Sequence, residues 1–91
     1  MTLVLRPAVA DDADLIVAFI AQLADYEKLA HEAVATPDLI QKALFCDHPK
    51  AFCTLAEQDG VPIGFALWFY NFSTFVGRHG IYLEDLYVQP S

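Results

Sequence analysis

The stretch Ile81-Tyr82-Leu83-Glu84-Asp85-Leu86-Tyr87-Val88 decides how the rest of the chain is read. Apolar and aromatic residues dominate it, and it reads as a buried β-strand. Two adjacent carboxylates, Glu84 and Asp85, interrupt that strand. Burying a carboxylate is costly unless it has a partner or a task. The plain reading pairs each one with a hydroxyl, a backbone amide or an arginine; the sharper one is a site that handles a cation or a proton. Adjacent strand residues point to opposite faces, so Glu84 and Asp85 are expected one on each side of the sheet unless a bulge intervenes. Such a strand normally pairs on both sides, yet the sequence stops at Ser91. Much of the site's machinery is therefore expected to lie outside these residues.

Working outward, the 91 residues suffice for one small domain. Apolar residues make up 56% of the chain, more than so short a chain buries well, so a missing remainder or self-association, such as a homodimer, is expected. The net charge of −7 leaves no basic patch to neutralise phosphates, which argues against nucleic acid and suits a cationic partner such as an amine. Acidity also serves plain solubility. Cys46 and Cys53 form no C-x-x-C pair, the three histidines are scattered, and no metal-ligand spacing exists, so both thiols read as free. The N-terminus lacks a signal-peptide pattern, and the apolar runs are too short to span a bilayer. No membrane partner is expected, and the cytoplasm is the default location.

Leu3 to Arg6 reads as a strand ended by Pro7. Asp11 or Asp12 offers an N-cap, and Leu15, Ile16, Phe19, Ile20 and Leu23 follow at helical spacing, predicting a helix to about Lys28. After a linker over residues 30–35, Thr36-Pro37-Asp38 starts a second helix, with Leu39, Ile40, Ala43 and Leu44 as its buried side. Ala51 to Glu57 reads as a strand, and Gln58-Asp59-Gly60 as a turn. A long strand from Val61 to Tyr70 is apolar on both sides, so both faces are expected to be covered. Residues 71–80 read as a loop before the final strand. Ser73, Thr74, Arg78 and His79 read there as ordinary loop residues, and no glycine-rich phosphate motif is present.

The order β-α-α-β-β-β, ending in Tyr82-Leu83-Glu84-Asp85-Leu86-Tyr87-Val88, resembles the first half of a GNAT N-acetyltransferase. The diamine (spermidine/spermine-type) and thialysine branch is the most similar. Supporting stretches are Arg6-Pro7-Ala8, Leu23-Ala24-Asp25-Tyr26-Glu27, Ile63-Gly64-Phe65-Ala66 and the segment from Phe72 to Arg78. The resemblance implies an α/β (α+β) fold, with a mixed, mostly antiparallel sheet and two helices. Residues 1–91 would be the N-terminal part of one GNAT domain, without its C-terminal half. It implies acetyl-CoA as co-substrate and a small cationic amine, a diamine or polyamine-like molecule, as acceptor. Glu84 would bind or deprotonate the amine, with Asp85 in support. Tyr26 and Glu27 would line the substrate pocket, and the backbone of Leu86, Tyr87 and Val88 would face the acetyl and pantetheine part of acetyl-CoA.

Two departures stand out. Polyamine-specific members carry an acid where Ser73 stands and a tryptophan where Phe75 stands; the version here is closer to the thialysine group. The family's pyrophosphate-binding loop would begin just after Gln89-Pro90-Ser91, and its later general-acid tyrosine also lies outside the chain. These residues alone are therefore expected to transfer no acetyl group at a useful rate. The rival expectation is a non-catalytic association module pairing through its exposed last strand. A small amine-binding protein without chemistry is a third.

Overall fold

Alternating apolar residues, two amphipathic helices and an Asp-Gly turn build a four-stranded sheet with helices on one side. The computed structural model describes residues 2–90. Strand β1 spans Leu3–Pro7, helix α1 Ala13–Tyr26, helix α2 Pro37–Leu44, and strands β2, β3 and β4 span Phe52–Gln58, Val61–Ser73 and Arg78–Val88. Single 3-10 turns at Ala10–Asp12 and Ala30–Glu32 precede and follow α1. The sheet order is β1-β2-β3-β4. All three pairings are antiparallel. Strand β4, with its two carboxylates, thus forms one edge of the sheet.

The first chain reversal depends on charge. Arg6 grips Asp12 with two nitrogens, at 2.8 and 3.0 Å, and donates from Nε to Glu57 at 3.1 Å. The Asp12 carboxylate also accepts the Val9 N–H at 2.8 Å. The expected acidic cap is therefore present, but it caps the 3-10 turn that leads into α1 and makes no capping bond to α1 itself. The Arg6 hydrogen bonds hold the Asp12 carboxyl below its ordinary value of 3.8. A depressed carboxylate pKa stabilises the fold above the unfolded-state value, and that contribution fades as pH falls through the lower folded-state value. Asp12→Asn should cost about 1–2 kcal/mol at neutral pH, with the difference vanishing in strong acid. Urea midpoints of both proteins at several pH values measure this; a gap that persists below both pKa values would contradict it.

Helix α1 ends at Tyr26, two residues before the expected Lys28. Lys28 itself adopts φ +61° and turns the chain out of the helix. The α2 start follows the sequence reading: Thr36 Oγ1 accepts the Leu39 N–H at 3.2 Å, and Pro37 opens the helix. Of its expected buried side, Leu44 is buried and Ile40 packs against the core, whereas Leu39 and Ala43 are exposed. Two turns of helix present only a narrow stripe to the core, and those two residues fall outside it.

Ile16, Phe19, Leu44, Cys53, Leu55 and Phe65 form the buried centre. Phe19 stacks on Phe65 with ring centres 5.9 Å apart and planes 4° apart. Tyr87 of β4 leans on Phe19 at 6.1 Å. Both cysteines are free, and burial pushes the Cys53 thiol up to about 12. Among the described residues the helices cover only one sheet face, which corrects the expectation that both faces of β3 are covered. The other face holds an apolar groove of ≈ 320 Å³ that Leu3, Leu5, Ile63, Leu86 and Val88 help to line.

The segment expected as a loop over residues 71–80 is mostly strand. Strands β3 and β4 pair from Ser73 and Arg78 onward, which leaves a turn at residues 74–77 with Gly77 at φ +67°. Asn71 Oδ1 accepts the Gly80 N–H at 3.0 Å and Ser73 Oγ the Val76 N–H at 3.4 Å. Arg78 and His79 therefore stand at the start of β4, and the ring of His79 packs edge-on against Phe72. Among the described residues no helix is long and apolar enough to cross a membrane.

Candidate active site

One irregularity in the sheet builds the site. Strands β3 and β4 pair Leu67 with Asp85, but the next residue of β3, Trp68, pairs with Leu83. Glu84 is the extra residue of a β-bulge, which breaks the alternation of side chains at that point. The expectation that Glu84 and Asp85 lie on opposite faces is corrected here, because both line the same cavity of ≈ 360 Å³. Glu27, from the end of α1, and Glu32, from the 3-10 turn that follows, line it too. Apolar residues of α1, Ile20, Leu23 and Ala24, complete its wall.

The cavity is electrostatically frustrated. The ion pairs among the described residues join Arg6 to Asp12 and Glu57, and Lys42 to Asp38; none involves the four acids of the cavity. The plain reading, in which Glu84 and Asp85 are neutralised by partners, is not realised among the described residues. Asp85 is half-buried and Glu84 exposed. Desolvation, reinforced by the charges of Glu84 and Glu27, raises the Asp85 carboxyl above its ordinary 3.8. A raised carboxylate pKa means that ionisation costs stability in the folded state. That cost is absent below the unfolded-state value and grows as pH rises through the folded-state value. Asp85→Asn should therefore stabilise the fold at neutral pH by about 0.5 kcal/mol and leave it unchanged near pH ~3. Thermal melts at both pH values measure this, and a loss of stability at neutral pH would contradict it.

A second cavity of ≈ 340 Å³ adjoins the first, sharing Leu23 as wall. Tyr26, Leu86, Tyr87, Val88 and Pro90 line it. Tyr26 and Glu27 are neighbours in sequence, yet the structure sends them to different cavities. Tyr26 joins the strand residues 86–88, and Glu27 joins the carboxylates. Gln22 fixes this end of β4: its Oε1 accepts from the Tyr87 hydroxyl and from Gln89 Nε2, each at 3.0 Å. Gly64 lets β4 approach closely, because a Cβ there would collide with the Tyr87 carbonyl oxygen. Ser73 and Phe75 lie at the far hairpin end, and neither lines either cavity. Sequence reasoning missed Gln22 and Glu32, and named the bulge only as an exception. The signal for the bulge was present: two consecutive acids in an apolar strand cannot both escape the apolar faces by alternation alone.

Four carboxylates without an ion-pair partner among the described residues give the cavity a negative lining. It also offers a half-buried carboxylate whose proton affinity is raised, beside the edge of a strand.

A family model for the acetyltransferase (GNAT) family matches residues 16–91. The thialysine N-epsilon-acetyltransferase of Mus musculus is 32% identical over 94 residues, covering 94% of this chain and 55% of the relative. That of Caenorhabditis elegans is 30% identical over 80 residues, covering 88% of this chain and 48% of the relative. The chain thus spans about half the length of the curated relatives it matches. Among solved structures, a ribosomal-protein-alanine N-acetyltransferase from Brucella melitensis biovar Abortus 2308 superposes with a TM-score of 0.73 at 17% identity, over 98% of this chain and 58% of the other. An aminoglycoside acetyltransferase from an uncultured soil metagenomic sample, in complex with sisomicin, superposes with a TM-score of 0.72 at 14% identity, over 96% and 56%. The structural matches share the fold, and the family match covers most of α1, all of α2 and the strand with the bulge. This chain belongs to the GNAT acetyltransferase family.

Proposed function

We propose that residues 1–91 form part of a single GNAT domain that moves an acetyl group from acetyl-CoA to a primary amine of a small diamine or polyamine-like acceptor. The observation that carries this reading is the bulge at Glu84, which brings two strand carboxylates into one cavity at the sheet edge. Similarity to thialysine N-epsilon-acetyltransferases supports a primary amine at the end of a flexible chain as the acceptor.

Glu84, exposed at the cavity, takes a proton from the bound ammonium, directly or through water; an alkylammonium, with a pKa near ~10.4, must lose one before it can attack. Asp85 and Glu27 hold the positive charge before that step. Leu23 forms the wall between amine and cofactor, and Tyr26 lines the cofactor side. Acetyl-CoA, when bound, supplies an activated carbonyl carbon. The second cavity fits its acetyl and pantetheine end, having an apolar lining and the backbone of Leu86, Tyr87 and Val88 beside it. Backbone N–H groups on a sheet edge stabilise negative charge that develops on a carbonyl oxygen. The free thiols of Cys46 and Cys53 suit a reducing, cytoplasmic setting.

Titrating 1,5-diaminopentane into the labelled chain tests the amine site by backbone NMR. Shifts should centre on residues 24–33 and 82–86, and acetyl-CoA should move residues 86–88. Shifts confined to the opposite sheet face would overturn the assignment. A second reading, self-association through β4, is favoured by the exposed Ile81, Tyr82, Leu83, Leu86 and Val88 on that edge strand. Light scattering after size exclusion decides it, because a monomer at all concentrations removes it.

A further inference from the structure

The cavity holds one more acid than the proposed chemistry uses. Glu32 sits at the end of the 3-10 turn Ala30–Glu32, on a different element from Glu27 and from the strand pair. Its backbone N–H is held by the Leu29 carbonyl at 2.9 Å, which anchors the turn beneath it. Its side chain is exposed and belongs to none of the ion pairs among the described residues. Leu29 and Ala33, on either side of Glu32 in sequence, line the cavity with it. The lining therefore combines strand acids, an apolar stretch and a separate acid on a turn.

We propose that Glu32 is a specificity-determining residue that holds the far charged end of the acceptor while Glu84 and Asp85 hold the reacting end. This rests on the reading of the cavity as the amine site. Its physical content is a preference among acceptors with equal chain length. A far ammonium gains a charge-assisted partner, a far methyl gains nothing, and a far carboxylate is repelled. The grouping of charges agrees. Glu32 stands on the turn that follows α1, whereas Glu84 and Asp85 stand on β4.

Three ligands built on the same five-carbon amine chain isolate the effect. 1,5-Diaminopentane has two ammonium ends, n-pentylamine lacks the far one, and lysine adds a carboxylate at the far end. Calorimetric or NMR titration of the chain should rank the diamine about three- to fivefold tighter than n-pentylamine, with lysine weaker than the diamine. Glu32→Gln should bring the diamine to within about twofold of n-pentylamine, weaken n-pentylamine less than the diamine, and narrow the gap to lysine. Glu32→Asp should restore part of the preference. Added salt should erode the wild-type preference and leave the Gln variant unmoved. An unchanged thermal midpoint shows that the variant is folded. A Gln variant that retains the wild-type ratio overturns the role of Glu32 and leaves the amine site standing. If none of the three ligands binds the wild-type chain, the amine site and the role of Glu32 fall together.

Discussion

Replacing Phe19 with alanine is expected to remove most of the chain's stability. Phe19 is 1% exposed, stacks on Phe65 and meets Tyr87 of the edge strand, so it joins α1 to both central and outer parts of the sheet. Truncating a buried phenylalanine costs about 3–5 kcal/mol, through lost apolar contact and an unfilled cavity. A domain of this size has only about 5–14 kcal/mol to lose. One open sheet face places this chain toward the low end of that range. Phe19→Leu, which keeps volume, should cost roughly 1–2 kcal/mol. Urea unfolding followed by circular dichroism measures both. An alanine variant with a midpoint close to the parent's would mean that the core is centred elsewhere.

The largest effect on chemistry is expected at Glu84. In any length of the chain that supports turnover, Glu84→Gln should lower the rate of acetyl transfer by roughly 10²–10⁴-fold, the usual worth of a positioned base. Its effect on acetyl-CoA binding should be small, because the cavity proposed for the cofactor is lined by other residues. Thiol release from acetyl-CoA, measured across pH, reports this. Raising the pH should speed the parent as the amine loses its proton. Asp85→Asn should reshape the acid limb of that profile, because burial and its acidic neighbours raise the Asp85 carboxyl. Equal rates for parent and Glu84→Gln would assign proton removal to another group. Asp85→Asn is then a useful counterpart, since it should gain stability and lose amine affinity together, the signature of a residue kept for its task.

The sequence made most of the fold legible wherever one local rule dominated. Thr36-Pro37 announced α2, Asp59-Gly60 announced the β2–β3 hairpin, and the spacing from Leu15 to Leu23 announced α1. It concealed the length of β3 and β4, because Asn71, Ser73, Arg78 and His79 are polar residues in paired strand. Their side chains face solvent at the far end of the hairpin, so nothing selects apolar residues there. The end of α1 was hidden because Lys28 takes a left-handed conformation more usual for glycine. At the site, residue types were readable but placement was not. Alternation put Glu84 and Asp85 on opposite faces, and only the pairing of Trp68 with Leu83 reveals the slip. Glu32 left no trace in periodicity, since its position depends on a single 3-10 turn. Gln22 reads as an ordinary polar residue of a helix until the Tyr87 hydroxyl is found beside it.

The extra residue in β4 also governs which length changes the chain can absorb. Deleting Glu84 would remove the slip and return the strand to even pairing, with Asp85, Tyr87 and every apolar neighbour still on their present faces. The sheet should survive that deletion while the cavity loses one of its acids. Deleting Leu86 instead would turn Tyr87 away from Phe19 and Gln22, and swing Val88 toward the helices. Two single-codon losses, two residues apart, should therefore differ in outcome: one spares the architecture and removes an acid from the cavity, and the other disturbs both.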